Sequence, residues 1–332
     1  MRGDRTGCWT LCRGWRGLLL AVACCSGLAH AQTAFPTKPI RFVVTSPPGG
    51  ANDILNRAFG AKVSESIGQP VVIDNRPGAS GFVAAEIVAK SPADGYTVLT
   101  GTEATLVTNP LLFPKAPYNT QRDFAPITMT AAISHVLLVH PSLPAGSVKE
   151  LIALARSKPG QLAYASSGSG SAFHLGMEMF KRMAGLDIIH VPFKGSALSV
   201  NSMLAGDVQM LLIGTATGLP LAKSGKARVL AIASSRRSPL APDLPTIAEA
   251  GLPGYEISSW FGAVVPARTP APAIAKLHGE FVRALQSPDL RERLAPGGYE
   301  VIANTPEEFA RHMRDQAKRL ARVISEAGIK PD

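Results

Sequence analysis

The chain has 332 residues, of which 46% are hydrophobic and 17% are charged. This length and balance predict two folded α/β lobes with buried cores and argue against a disordered chain. The formal net charge is +10, but the basic residues are scattered and form no run interleaved with aromatic residues, so nucleic acid is not an expected partner.

The first 31 residues have the composition of an export signal. Four arginines precede the apolar run LLLAVACCSGLA, and Ala29-His30-Ala31 gives a small-x-small cleavage pattern. These features are typical of a secretory signal peptide, and the apolar run is too short for a membrane span. We therefore predict cleavage after Ala31 and a periplasmic location. Lipoprotein processing at Cys24 is the alternative, although Ala21 stands where a lipobox prefers Leu.

All cysteines of the sequence, Cys8, Cys12, Cys24 and Cys25, lie within that segment. The mature chain then has none, which excludes disulfides, thiol nucleophiles and cysteine-ligated metals. Cleavage also removes four arginines and one aspartate, so the formal net charge falls from +10 to +7. A mildly positive surface that attracts small anions is the economical interpretation, and a solvated surface without a partner is the alternative.

Strand and helix patterns alternate from the start of the mature chain. The run IRFVV precedes a segment in which an apolar residue recurs at every fourth position from Leu55 to Ile67, which predicts a helix with one apolar face. The strand VVIDN, the helical segment FVAAEIVAKS and the strand YTVLTG follow. This β-α-β-α-β order with short connections is typical of a parallel sheet flanked by helices.

The second half shows the same alternation without an internal repeat of fixed period. The runs HVLLVHP, QLAYASS, IIHVPF, VQMLLIG and ARVLAIAS predict strands between helical segments. A proline-rich stretch from Arg236 to Tyr255 leads to a further strand, SSWFGAVVP, and two charged helices close the chain. Two α/β lobes joined by strands that cross between them account for this order.

Several of these strands end in loops rich in glycine and serine. SPPGGAND, RPGASG and GTEAT follow strands in the first half, and YASSGSGSAFHL and VPFKGSA contain such loops in the second. Glycine lets main-chain N–H groups turn toward a ligand, and helix N-termini carry partial positive charge. Because ligands bind at the carboxyl ends of strands in open α/β sheets, converging loops predict an anion site. At any single turn, glycine is more often explained by backbone geometry alone.

The sequence lacks the common phosphate and catalytic motifs. It contains no G-x-x-x-x-G-K-[ST], no G-x-G-x-x-G, no HExxH and no G-x-S-x-G pattern. A carboxylate is the simplest remaining ligand, and we expect no cofactor and no metal. Because Ser80 and Ser169 lie in glycine-rich loops, an exported serine hydrolase acting on a small ester or amide is the alternative function. His174 is interpreted as either a carboxylate contact or a structural hydrogen-bond partner, and Asp53 as a helix cap, a ligand contact or both.

The string PIRFVVTSPPGGANDILNRAFGAKVSESIGQPVVIDNRPGASG resembles the start of the Bug family of extracytoplasmic solute receptors, which are related to the TctC component of tripartite tricarboxylate transporters. SPADGYTVLTGT, YASSGSGSAFHLGMEMFK, HVPFKGSA and RSPLAPDLPTIAEAGLPGYEISSWFG extend the resemblance over essentially the whole mature chain. It implies a monomeric, non-enzymatic periplasmic binding protein that closes over a small carboxylate, either for membrane transporter subunits of this type or for sensing.

The resemblance also implies the architecture and the site. The fold is an α/β, two-lobed periplasmic binding protein, type II-like, with two crossover strands at the hinge. Lobe 1 comprises 32–137 with 257–332, and lobe 2 comprises 138–256. In the family, the loops corresponding to 46–53 and 167–171 hold the ligand carboxylate through main-chain groups and ordered water. The residues expected to line the cleft are Ser46, Pro47, Pro48, Gly49, Gly50, Ala51, Asn52, Asp53, Ala79, Ser80, Gly101, Thr102, Ser134, Ser167, Gly168, Ser169, Gly170, Ser171, His174, Lys194, Gly195 and Ile213.

One position departs from the family pattern. After GDVQ, family members commonly have a hydrophobic pair and then Phe-Asp-Asn, whereas this chain has Ile213 and Gly214 at the Asp and Asn positions. An ammonium group loses its hydration in a closed cleft and needs a carboxylate or several acceptors in return. We therefore expect a carboxylate ligand without a free amine. Asp53 and Glu103 are the side chains most able to bind an ammonium group instead.

Overall fold

The computed structural model describes residues 35–78 and 81–329. The predicted signal peptide and two of the expected site residues, Ala79 and Ser80, lie outside the described residues. The strands are β1 Ile40–Val44, β2 Val71–Asn75, β3 Thr97–Thr102, β4 Phe124–Val139, β5 Ala163–Ser166, β6 Ile189–Pro192, β7 Met210–Gly214, β8 Arg228–Ile232, β9 Ser258–Pro266 and β10 Tyr299–Val301.

The helices complete the predicted alternation with the strands. They are α1 Ala51–Ile67, α2 Phe82–Ala89, α3 Asn109–Leu112, α4 Thr120–Asp123, α5 Val148–Ser157, α6 Ala172–Ala184, α7 Ser196–Ala205, α8 Thr215–Lys223, α9 Ala271–Leu285, α10 Pro288–Leu294 and α11 Pro306–Glu326. A π-helical segment, Ala104–Thr108, precedes α3, and a short 3-10 helix, Ala295–Gly297, precedes β10. The α/β class predicted from the sequence is confirmed.

The strands form a continuous sheet with two parallel groups. The order is β2-β1-β3-β9-β4-β7-β5-β6, and β8 and β10 also pair with β4. Strands β1, β2 and β3 are parallel to one another, as are β5, β6 and β7. Between the groups, β9 is antiparallel to β3 and to β4, and β4 is antiparallel to β7. Each parallel group is therefore the centre of one α/β unit, as the alternation predicts.

Strand β4 belongs to both units. Its residues from Phe124 to Ser134 pair with β9, and those from His135 to Val139 pair with β7. The sequence predicted a strand only from His135, so this boundary is wrong: the strand begins at Phe124. The first part of β4 has no continuous apolar run, and register shifts near Pro126 and Met129 interrupt its alternation. Tertiary pairing, rather than local pattern, makes this segment a strand.

Aromatic packing holds α1 against the first unit. The rings of Phe42 on β1, Phe59 on α1 and Phe281 on α9 contact one another, with centroids 5.1 to 5.7 Å apart. Phe59 and Val63 are fully buried, which confirms the predicted apolar face, although Ile67 at its end is partly exposed. This packing fixes the N-terminus of α1 at the carboxyl end of β1.

The C-terminal helix α11 packs against β9. Trp260 Nε1 on β9 donates to Gln316 Oε1 at 2.6 Å, and the Trp260 and Phe309 rings pack edge to face. Thr305 and Glu308 form a capping box at the start of this helix. Although α11 has 21 residues, neither it nor any other helix in 35–78 and 81–329 is long and apolar enough to cross a membrane.

Candidate ligand-binding cleft

The carboxyl ends of the two parallel groups face each other across the middle of β4. Strand β3 ends at Thr102, which pairs with Phe261 of β9, and Phe261 pairs with Ala131 of β4. Strand β7 ends at Gly214, which pairs with His135 of β4. Because Ala131 and His135 are close together on one strand, the loops that follow both groups begin at the same stretch of β4, where a ligand site is expected in such sheets.

The loop after β1 is held by the carboxylate of Asp53. Gly49 N donates to Asp53 Oδ2 at 2.8 Å, Arg57 Nε donates to the same oxygen at 2.9 Å, and Asn75 Nδ2 donates to Oδ1 at 2.9 Å. The Asn75 amide also donates to the Ser46 carbonyl at 3.0 Å. Burial alone would raise the pKa of Asp53, but these hydrogen bonds hold that pKa below its ordinary value. Asp53 is therefore a charged support of the loop.

The loop after β1 has an exposed part and a buried part. Pro47, Pro48, Gly49 and Ala51 are exposed, and Ser46 and Gly50 are partly buried. The next residue along, Asn52, is buried and donates from Nδ2 to Thr45 Oγ1 and to the Thr100 carbonyl. Of the expected contacts in this segment, Asn52 and Asp53 thus shape the loop, while Ser46 to Ala51 form its accessible part.

The loops after β5 and β6 are bonded to each other. Gly195 N donates to the Ser167 carbonyl at 3.3 Å, and Phe193 N donates to the Ser166 carbonyl at 3.0 Å. Lys194, between Phe193 and Gly195, is exposed. Residues 167–171, which include Gly168, Ser169 and Gly170, are all partly buried. The structure therefore brings the loop 167–171 and the loop with Lys194 and Gly195 together, whereas the His174 side chain is buried and accepts the Gly170 N–H group.

Helix N-termini supply electropositive N–H groups on both sides of the cleft. Helices α1, α7 and α8 begin after Gly50, Gly195 and Gly214, which have no side chain to accept the first-turn N–H groups. Helix α6, which begins at the loop 167–171, is instead capped by Ser171, whose hydroxyl accepts the His174 N–H group. Uncapped N–H groups carry the partial positive charge of the helix, so this arrangement is suited to an anion.

The third first-unit loop, after β3, has its polar groups in internal contacts. Gly101 is buried, and Thr102 Oγ1 accepts Thr105 N at 3.2 Å. Glu103 is 5% exposed and accepts a hydrogen bond from the Thr108 hydroxyl. Burial raises the pKa of Glu103 to about 7. Gly101, Thr102 and Glu103 therefore contribute mainly to the architecture of this loop.

Two further residues expected to contact the ligand, Ser134 and Ile213, have side chains buried away from the loops. Ser134 Oγ lies 3.0 Å from Ser234 Oγ and donates to Glu300 Oε1 at 2.7 Å, on the side of β4 opposite Ile133 and His135. Ile213 is 2% exposed and belongs to a hydrophobic cluster of the second unit that includes Val136. The structure thus places Ser134 in a polar network and Ile213 in a core rather than with the loops.

Sequence analysis missed a segment that lies between the two units. Tyr299 OH donates to the Ala51 carbonyl at 2.8 Å, at the start of α1. A Cβ added to Gly298 would lie 3.0 Å from Thr215 Oγ1, at the start of α8. The glycine pair before Tyr299 was the available signal, but a three-residue strand such as β10 is too short to produce a periodic pattern.

The receptor model of the tripartite tricarboxylate transporter family, TctC, matches residues 55–329. The chain belongs to this family. Protein BugT of Bordetella pertussis is 36% identical to this TctC-family chain over 315 residues, which cover 95% of this chain and 96% of BugT. The resemblance noted in the sequence is thereby confirmed.

Solved structures confirm the two-lobed fold. Rpa4515 from R. palustris, solved with adipate, is 39% identical, with a TM-score of 0.73 over 90% of this chain and 100% of that one. MatC from Rhodopseudomonas palustris, with bound malate, is 31% identical, with a TM-score of 0.69 over 87% of this chain and 100% of that one. The TctC-family chain is therefore a two-lobed α/β binding protein with crossover strands at its hinge.

Proposed function

We propose that this receptor captures a small carboxylate, such as the dicarboxylate adipate, in the cleft between its lobes in the periplasm. The observation that carries the proposal is the convergence of uncapped helix N-termini from both units at the edges that face each other across β4. Support also comes from the related proteins Rpa4515, solved with adipate, and MatC, solved with malate.

One ligand carboxylate is bound by main-chain groups of the loop that begins α1. Pro47 and Pro48 have no N–H group, and those of Gly49 and Gly50 bond within the loop, so the N–H groups that bind the ligand are those of the uncapped first turn of α1, from Ala51 onward. Asp53 keeps the loop in shape from inside. The other end of the ligand meets the loop 167–171 and the start of α7, where Lys194 adds a positive charge. The Ile213 side chain affects the site through its packing in the hydrophobic cluster of the second unit, which includes Val136.

The lobes are 32–137 with 257–332, and 138–256. The change of pairing partner on β4 between Ser134 and His135 supports a hinge near this boundary. The units already approach each other in this structure, since a Cβ added to Gly170 would lie 3.0 Å from Leu112 Cδ1. Closure as rigid bodies about a few strand residues sequesters the ligand.

The protein acts without catalysis, is exported with a signal peptide cleaved after Ala31, and is a monomer that delivers its ligand to membrane transporter subunits or to a sensor. The alternative of a serine hydrolase requires a base beside Ser80 or Ser169. Ser80 lies outside the described residues, and Nδ1 of the nearby His174 accepts the Gly170 N–H group. Family membership among solute receptors supports binding without turnover.

Calorimetry with adipate, malate and the neutral diamide of adipate tests the proposal. We expect one site for a dicarboxylate and no heat with the diamide, because the helix N-termini recognise negative charge. Lys194→Gln should weaken dicarboxylate binding about fivefold, whereas Lys223→Gln, at the far end of α8, should not. If the folded protein binds none of the carboxylates tested, the receptor function is refuted. If the protein hydrolyses an ester that has no carboxylate group, and Ser169→Ala abolishes this activity, the hydrolase is favoured.

A further inference from the structure

Two histidines from different elements stack next to the loop 167–171. The rings of His174 on α6 and His190 on β6 are 3.9 Å apart, with an angle of 11° between their planes. The ring of Tyr164 on β5 stacks on His190 at 4.8 Å. His174 is 7% exposed, so this column of three rings is an interior feature of the second lobe.

Both imidazoles are hydrogen-bonded to the loop. His174 Nδ1 accepts the N–H group of Gly170 at 3.0 Å. His190 Nε2 lies 2.7 Å from Ser166 Oγ, and that hydroxyl accepts the N–H group of Gly168 at 3.3 Å. Gly168 and Gly170 have φ values of +132° and +75°, which few other residues adopt. The two imidazoles therefore support the main chain at Gly170 directly and at Gly168 through Ser166.

We propose that the His174–His190 pair positions the carboxylate-binding loop of lobe 2 only while His174 Nδ1 is unprotonated, so that acid releases the ligand. This inference rests on the proposed carboxylate-binding function. Both histidines are positioning residues, because they act on the ligand through the main chain of 166–170.

The chemistry of imidazole gives the direction of the effect. Nδ1 accepts the Gly170 N–H group through a lone pair, and protonation of the ring at Nδ1 removes that acceptor. Two imidazolium rings stacked at van der Waals distance would also repel each other. A histidine that bound the carboxylate directly would have the opposite effect, since its positive charge would tighten binding in acid.

The charged groups around the stack compensate one another. Glu178, one turn after His174 on α6, accepts hydrogen bonds from Tyr164 OH at 2.6 Å and from Lys181 Nζ at 2.7 Å. Lys181 Nζ also lies 5.7 Å from the centre of the Tyr164 ring. Because Glu178 and Lys181 form an ion pair, neither supplies an uncompensated charge that would replace the effect of protonating the histidines.

Other titrating groups are separable from the pair. Burial lowers the pKa of His135 to about 4, so His135 titrates at lower pH than an ordinary imidazole. Burial raises the pKa of Glu103 to about 7, and Glu103 therefore needs its own control. The Glu103→Gln variant provides it, and His140→Asn is a matched control at a solvent-accessible histidine bonded to Ser142.

Amide hydrogen exchange of the ligand-free protein tests the positioning role directly. In wild type, the protection of Gly170 N–H, corrected for intrinsic exchange, should fall about tenfold between about pH 8 and about pH 5. His174→Asn retains an acceptor near the Nδ1 position and cannot titrate, so protection should persist at both values. His174→Ala should lack protection at both. Equal protection in wild type and His174→Ala would overturn the inference.

Calorimetry with adipate tests the consequence for binding. Protonation of adipate affects every variant equally, so the readout is the ratio of affinities between wild type and His174→Asn. This ratio should fall about tenfold from about pH 8 to about pH 5. His140→Asn and Glu103→Gln should follow wild type. A constant ratio, or one that rises in acid, would contradict the inference. If adipate and other carboxylates bind nowhere, the proposed function fails, while the exchange experiment still decides whether the pair positions the loop.

Discussion

Asp53 Oδ2 accepts the N–H group of Gly49, four residues before it, at a distance of 2.8 Å. The second lobe has the same relationship, since His174 Nδ1 accepts the N–H group of Gly170, also four residues before it. In both lobes an acceptor in the first turn of a helix folds the preceding glycine loop back onto the helix. The shape of both glycine loops therefore depends on the buried side chains Asp53 and His174.

Asp53→Asn should destabilise the protein at neutral pH. The native carboxylate accepts N–H groups from Gly49, Arg57 and Asn75, and these hold its pKa below the ordinary value although burial opposes them. A lowered pKa means that the stabilisation is present above the pKa of the unfolded chain and is lost as pH falls through that of the folded one. We expect a loss of about 2 kcal/mol in urea unfolding at neutral pH.

The matched control for this experiment is Glu86→Gln, because Glu86 forms an exposed ion pair with Lys90 at the same i,i+4 spacing as Asp53 and Arg57. Glu86→Gln should change the stability little. The difference between Asp53→Asn and wild type should shrink as pH falls through the lowered pKa of the folded Asp53 carboxyl, below which both proteins carry a neutral side chain. A difference that persists unchanged in acid would show that the loop does not depend on the charge.

Gly50→Val should weaken carboxylate binding while leaving the fold intact. A Cβ at Gly50 would lie 3.1 Å from Ser46 Cβ and 3.2 Å from the Pro47 carbonyl oxygen, so a branched side chain forces the loop away from its present course. Loss of one main-chain hydrogen bond to a charged ligand, worth about 1.5–3 kcal/mol, corresponds to at least about a tenfold weaker affinity. Gly279→Val, at an open position on α9, is the control. Calorimetry with adipate measures binding, and circular dichroism checks the fold. If folded Gly50→Val binds adipate with wild-type affinity, this loop is not part of the binding site.

Local sequence was sufficient to predict the strand-helix alternation and the positions of the glycine loops. It was insufficient for side chains whose environment depends on distant segments. The partner of Asp53 on β2, Asn75, is brought to it only by the pairing of β1 with β2. Ile213 was expected at the ligand, but the alternation of β7 directs it into the core with Val136. The place of Tyr299 beside Ala51 depends on the pairing of β10 with β4.

Glu103→Gln should stabilise the protein in mild alkali and have little effect in mild acid. Burial raises the pKa of Glu103 from 4.5 to about 7, so ionising this group costs more in the folded state than in the unfolded one. Wild-type stability therefore falls as pH rises between these two values and then levels off. The variant keeps an oxygen that can accept from Thr108. Urea unfolding at about pH 8 should show a gain on the order of 2 kcal/mol, which disappears near pH 4; an equal gain at both would point to packing instead.

The receptor should prefer dicarboxylates over the corresponding amino acids. An ammonium group that enters the cleft loses its hydration and needs a carboxylate to replace it. Asp53 accepts three hydrogen bonds within lobe 1 and is 2% exposed, and Glu103 accepts from Thr108 and is 5% exposed, so both acids are buried away from a ligand.

Matched pairs that differ only in the amine decide the question: adipate with 2-aminoadipate, glutarate with glutamate, and succinate with aspartate. In thermal-shift assays at equal concentration, each dicarboxylate should raise the melting temperature more than its amino acid. Ile213→Asp is a poor way to reverse the preference, because it would bury a carboxylate in the apolar cluster around Val136 and cost several kcal/mol of stability. Ile213→Val, which keeps the core apolar, should leave the order of ligands unchanged. Greater stabilisation by glutamate or aspartate than by glutarate or succinate would mean that the cleft holds an acceptor for the amine, and Asp53→Asn would then show whether that acceptor is Asp53.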